Sequence, residues 1–152
     1  MYRRLGIIVF WLVWPLLWVY LRYGGTRTRV IIIADNHVLL VKSWLGSGEW
    51  ILPGGGSHSG EELTTAAIRE VVEETSLKIS PEQLKLLERG RASEHGLRIP
   101  YACYVVHISG KQKVIRQRTE LSAAEWLSLD NISSRRDLSP LTRHCLSSLG
   151  TR

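Results

Sequence analysis

The sequence predicts an α+β fold: one compact domain of strands around a central helix, preceded by a single apolar N-terminal helix. Three observations predict it. Short runs rich in β-branched residues lie before and after residues 59–75, where apolar residues recur at helical spacing instead. Residues 5–21 carry no charge at all. The remainder, residues 24–152, is long enough for one hydrophobic core but not two.

Taken in order, Gly24-Gly25 reads as a short hinge. Residues 29–33 and 38–41 read as strands joined by a tight turn at Asp35-Asn36, residue types that tolerate positive φ. Residues 50–52 form a short strand ended by Pro53 and three glycines. A helix begins at Ser59, with Glu62 at capping-box spacing, and runs to about Thr75. Its apolar side is Leu63, Ala67, Ile68, Val71 and Val72. Residues 84–87, 101–108 and 113–116 read as further strands, and 126–129 as another short apolar segment. Ser139-Pro140 opens a last helix, with serine as its cap and proline in its first turn.

The chemistry concentrates in residues 55–77, GGSHSGEELTTAAIREVVEETSL, where five glutamates and one arginine follow a glycine loop. On a helix Glu70, Glu73 and Glu74 stand at i, i+3 and i+4, an arc of roughly 100°. Like charges so placed repel, and at a helix C-terminus the macrodipole disfavours them further. A divalent cation reverses that balance, because carboxylate oxygens are the ligands hard ions such as Mg²⁺ prefer.

At these residues the sequence resembles the Nudix hydrolase family, whose box reads G-x5-E-x7-R-E-U-x-E-E-x-G-U, U being a bulky aliphatic. Gly55, Glu61, Arg69, Glu70, Val71, Glu73, Glu74 and Leu77 fall on it in register, and Ser76 departs from it where the family has glycine. Residues 50–55 (WILPGG) resemble the strand and loop that lead into the box. The resemblance implies an αβα sandwich with a mixed sheet over residues 24–152. It also implies hydrolysis of a nucleoside diphosphate linked to another moiety, with Mg²⁺ or Mn²⁺ as cofactor. Glu70, Glu73 and Glu74 would supply the side-chain ligands and the Gly55 carbonyl would complete the coordination. Arg69, four residues before Glu73, would orient it. Glu61 is either catalytic or a structural tie to the loop. The general base is Glu70 or Glu120, the latter resembling the family's later loop acid. Substrate-binding residues are not identified: Arg89, Arg91, His95, Arg98 and His58 are candidates to contact phosphate or base, but lone basic residues on loops are more often solvated, and Trp44 reads as core rather than as a nucleobase platform. Ser76 occupies the position that would close the helix with φ > 0, at a cost of roughly 1 kcal/mol and with no loss of a ligand.

Residues 5–21 would rise about 25 Å as a helix, a little short of a hydrocarbon core of about 30 Å. Tyr2, Tyr20 and Tyr23 suit the headgroup region, and no small-residue cleavage site follows. The expectation is a single-pass anchor over 1–23, in preference to a cleaved signal or an interfacial helix. The protein is then membrane-bound with its catalytic domain in the cytoplasm, where nucleotides and Mg²⁺ are available.

The formal net charge of +6 suits anionic phosphates, but the basic residues are scattered and form no aromatic-laced stripe, so nucleic acid is not expected as a partner. Residues 111–118 are the densest basic run and read as the solvated face of a strand. Cys103 and Cys145 have neither metal nor redox spacing and read as buried thiols. Two other functions compete with hydrolysis. One is a Nudix-like module that senses a nucleotide without cleaving it, which the intact glutamates oppose. The other is a membrane-partner protein whose tryptophan-rich helix does the work.

Overall fold

The computed structural model describes residues 25–44, 48–94, 97–117 and 119–150. Asp35 (φ 46°) and Asn36 (φ 58°) both take the left-handed conformation that a two-residue hairpin turn requires. They join β1 (Arg27–Ala34) to β2 (His37–Ser43). The two strands pair only near the turn, at Ile33↔Val38 and Ala34↔His37, and then diverge. Into the split goes β3 (Trp50–Ile51), which pairs with the far half of β2. The glycine loop follows it, so that the Thr28 and Val30 amides donate to the Gly55 and Pro53 carbonyls at 2.7 and 2.9 Å. The loop is thereby fixed in the sheet by backbone hydrogen bonds.

On its other side β1 runs parallel to β5 (Leu97–His107), which pairs antiparallel with β4 (Lys85–Glu94), while β6 (Leu121–Ser128) pairs antiparallel with β2. The result is one mixed six-stranded sheet. Period-2 alternation sorts its core onto two faces. Val30, Ile32, Leu39, Ala102, Tyr104 and Val106 pack beneath α1 (Leu63–Thr75), through Ala67 and Val71. Ile31, Ile33, Val38, Leu40, Tyr101 and Cys103 pack on the opposite face. There they meet α2 (Leu129–Ile132) and α3 (Pro140–Leu149), through Ile132, Leu141 and Cys145. Each fully buried aliphatic side chain in these clusters contributes about 1.5–3 kcal/mol. Ser139 caps α3 as its sequence demands, its hydroxyl accepting the Thr142 amide at 3.2 Å. Both cysteines are free and buried.

Four local expectations are corrected. The central helix starts at Leu63 and not Ser59; Glu62 is its N-cap residue and makes no side-chain cap bond, while the Glu61 carboxylate is drawn back onto the His58 amide. Val72 is 41% exposed rather than part of the apolar side. Residues 113–116 form no strand, because the Ile115 and Gln117 amides donate to the Thr75 and Glu74 carbonyls at the end of α1. Trp44 is 63% exposed and lies outside the core.

The membrane placement is also corrected. No helix among the described residues is long and apolar enough to cross a membrane. The segment 1–23, on which the anchor, the membrane localisation and the cytoplasmic orientation rested, lies outside the described residues.

Ser76 closes α1 at φ 61°, its amide donating to the Val72 carbonyl at 2.9 Å. Its hydroxyl also donates to the Ile115 carbonyl at 3.3 Å in an exposed position. Relief of the backbone conformation is worth about 1 kcal/mol, and the exposed hydrogen bond offsets roughly half of it. Ser76→Gly is therefore expected to stabilise the domain by about 0.5 kcal/mol in chemical denaturation. A destabilised variant would mean that the hydroxyl bond outweighs the backbone relief.

Candidate active site

The glycine loop lies close against α1. Gly54 has φ 136°, and a Cβ there would run into the Thr28 carbonyl group. A Cβ on Gly55 would sit 2.6 Å from Glu70 Oε1, so the Glu70 carboxylate occupies the space that a side chain would need. These two glycines let the backbone approach the acidic helix directly.

Glu74 is the buried member of the acidic set, 7% exposed, and accepts the Gly54 amide at 2.9 Å. Burial pushes its carboxyl up to about 7; the Gly54 amide and Arg29 pull against this, while Glu70 and Glu120 push the same way as burial. Glu70 and Glu120 therefore both lie within electrostatic reach of the buried Glu74.

Arg69 spans the other acids. It makes a bidentate pair with Glu61, Nε to Oε1 at 2.9 Å and Nη2 to Oε2 at 3.0 Å. Its Nη1 reaches Glu70 Oε1 at 2.8 Å and Glu73 Oε2 at 3.4 Å, and Nη2 also donates to the Gly56 carbonyl. Glu61 accepts the His58 amide at 2.7 Å as well. Arg69 first, then that amide, pulls the Glu61 carboxyl down to about 2. Glu61 thus ties the helix to the turn at 58–61, the structural alternative of the two considered for it. Glu73 is half-exposed and, among the described residues, joins the group through Arg69.

Glu120 arrives from a different part of the chain. Residues 115–117 hang from the last carbonyls of α1, and the Leu121 amide donates back to Gln117. The Arg116 guanidinium holds the Leu121 and Ser122 carbonyls. The Trp44 amide and the Ser43 hydroxyl both donate to the Glu120 carbonyl. Glu120 makes no ion pair among the described residues, Gln117 Nε2 at 3.5 Å being its side-chain contact.

Two features qualify the metal expectation. Among the described residues, no three His, Cys, Asp or Glu side chains converge closely enough to hold an ion as they stand. The Gly55 carbonyl already accepts the Thr28 amide at 2.7 Å and the Thr28 hydroxyl at 3.2 Å. The fit to a divalent cation therefore lies in donor chemistry and charge: hard oxygen donors, a buried carboxylate resisting ionisation, and like-charged neighbours.

Sequence reasoning missed Arg29. It is 6% exposed, and its Nη1 donates to the Gly54 carbonyl at 2.5 Å. The signal was present: Arg29 shares the strand parity of Ile31 and Ile33, the face turned toward α3.

The fold and this arrangement define a class, that of the Nudix hydrolase domains. A family model described as NUDIX domain matches residues 25–149. The chain belongs to this family. It is 33% identical over 111 residues to Nudix hydrolase 10 of Arabidopsis thaliana, covering 71% of this chain and 39% of that protein. To the mouse protein Nucleoside diphosphate-linked moiety X motif 6 it is 25% identical over 121 residues, covering 79% of this chain and 36% of that protein. The chain thus spans less than two fifths of the length of these curated relatives. The MutT NUDIX hydrolase from Burkholderia pseudomallei shares the fold at TM-score 0.72 and 23% identity, with 82% of this chain and 97% of that one covered.

Proposed function

We propose that residues 24–152 form a divalent-metal-dependent hydrolase that cleaves the diphosphate bond of a nucleoside diphosphate linked to another moiety. One observation carries most weight: Glu74, buried beneath the glycine loop, is pushed up to about 7 while facing Glu70 and Glu120. A buried carboxylate that Arg29 and the Gly54 amide compensate only in part gains from a bound cation. Glu70, Glu73 and Glu74 would hold Mg²⁺ or Mn²⁺, with a loop carbonyl, expected to be that of Gly55, exchanging its present hydrogen bonds for the ion. The ion would neutralise charge developing on the diphosphate oxygens.

The chain's own residues do the rest. Water attacks one phosphorus, its proton passes to a carboxylate, and the electron pair of the broken P–O bond leaves with the other phosphate. Glu120 is the better base of the two candidates, because Arg69 already holds Glu70 at 2.8 Å. Arg69 orients Glu70 and Glu73 through the same guanidinium that it anchors on Glu61.

The test is a panel of nucleoside triphosphates, dinucleoside polyphosphates and nucleotide sugars offered to the full chain with Mg²⁺ or Mn²⁺. Hydrolysis of at least one, abolished by EDTA, is expected. Metal-independent turnover, or binding with no turnover across the panel, would reject the assignment, and the latter would mark a sensing module.

A further inference from the structure

The β4–β5 hairpin reaches beyond the rest of the sheet. β1 meets β5 first at Arg27↔Tyr101, whereas β4 and β5 continue pairing out to Glu94↔Leu97. Register assigns the faces of this wing. Tyr101 and Cys103 pack toward α3, and Ala102 and Tyr104 toward α1. Arg89 is the partner of Ala102 and Arg91 the partner of Pro100, so both point to the α1 face. Arg98, four residues before Ala102, shares that parity. All three are exposed, and none makes an ion pair among the described residues. Arg91 Nη2 reaches the Arg98 carbonyl at 3.4 Å, which keeps the two side by side.

The same face carries Glu70 and Glu74 on α1. Gly55, Thr28, Ala102 and Arg89 lie in one row across adjacent strands. Three strand spacings, about 14 Å, separate the glycine loop from Arg89 before the reach of the arginine side chain is subtracted. A charged edge also blunts unwanted strand pairing, and beyond Tyr101 both β4 and β5 are edges; that purpose does not depend on which face carries the charge, whereas Arg89, Arg91 and Arg98 all share the α1 face.

We propose that Arg89, Arg91 and Arg98 form a binding site for phosphate groups of the substrate distant from the bond that is cut. The inference rests on the hydrolase reading above for the cleavage site, and it names the substrate class: a small molecule bearing phosphates beyond a single diphosphate. The acidic cluster at the scissile end repels such a polyanion, and the wing supplies the compensating charge on the same side of the sheet.

Inorganic tripolyphosphate is the probe, titrated calorimetrically into the full chain without divalent metal. The variant Arg89→Gln/Arg91→Gln/Arg98→Gln is expected to raise Kd at least tenfold and to flatten the salt dependence of binding. A control with the same loss of charge elsewhere, Lys111→Gln/Lys113→Gln/Arg136→Gln, is expected to stay within twofold of the unaltered chain. Equal weakening in both variants, or none in the first, would overturn the proposal; thermal unfolding of each variant excludes loss of fold as the cause. Binding is read here without turnover, so an inactive protein that binds through the wing would reject the hydrolase and keep the site.

Discussion

Glu74→Gln is expected to lower kcat by on the order of 10² or more, since loss of a metal ligand removes transition-state stabilisation worth several kcal/mol. The same change is expected to stabilise the metal-free protein at alkaline pH. The folded carboxyl titrates near 7 against a reference value of 4.5. Its contribution to stability is therefore fully present below 4.5 and is lost as pH rises through 7, by up to about 3 kcal/mol. Glutamine still offers an oxygen to the Gly54 amide and has no charge to bury. Denaturation in EDTA at pH 5 and pH 8 should show a pH-dependent loss in the unaltered chain that the variant lacks. Full turnover in the variant would remove Glu74 from the ligand set, and an unchanged pH dependence would contradict the burial argument.

Arg29→Ala is expected to be the most destabilising single change near the site, costing about 3–5 kcal/mol in urea unfolding. It removes a nearly buried cation that sits on the Gly54 carbonyl and counters the buried Glu74. Both partners are left behind without it. Arg29→Lys keeps the charge but not the planar fork, and should recover only part of the loss. A cost below about 1 kcal/mol for alanine would mean that the backbone bonds to Thr28 and Val30 hold the loop unaided.

What the sequence made legible was whatever is encoded locally. The Asp35-Asn36 hairpin, the Ser139-Pro140 helix start and the left-handed closure at Ser76 each depend on a few neighbouring residues, and each was readable. The register of Glu70, Glu73 and Glu74 was readable for the same reason. Features decided by tertiary contact were not. The split between β1 and β2 that receives the glycine loop depends on β3 and on backbone bonds between residues far apart in sequence, Thr28 to Gly55 and Val30 to Pro53. β4 reads as polar because its α1-facing residues near the tip meet solvent, so its length was not legible; Arg89, Arg91 and Arg98 were readable as possible phosphate contacts, but the strand face they share was not. Residues 113–116 have strand-like alternation, yet the open carbonyls of α1 claim their amides. Glu74 looked like one of three equal carboxylates; only packing separates it, buried, from the half-exposed Glu73.

The central claim is that the carboxylates of α1 beneath the glycine loop constitute a divalent-cation site. Titration of the full chain with Mn²⁺, followed by electron paramagnetic resonance of the free ion, tests it most directly. Saturable binding is expected, displaced by excess Mg²⁺ and lost in a Glu70→Gln/Glu73→Gln/Glu74→Gln variant whose unfolding transition remains cooperative. Equal Mn²⁺ binding by the folded variant, or none by the unaltered chain, would contradict it.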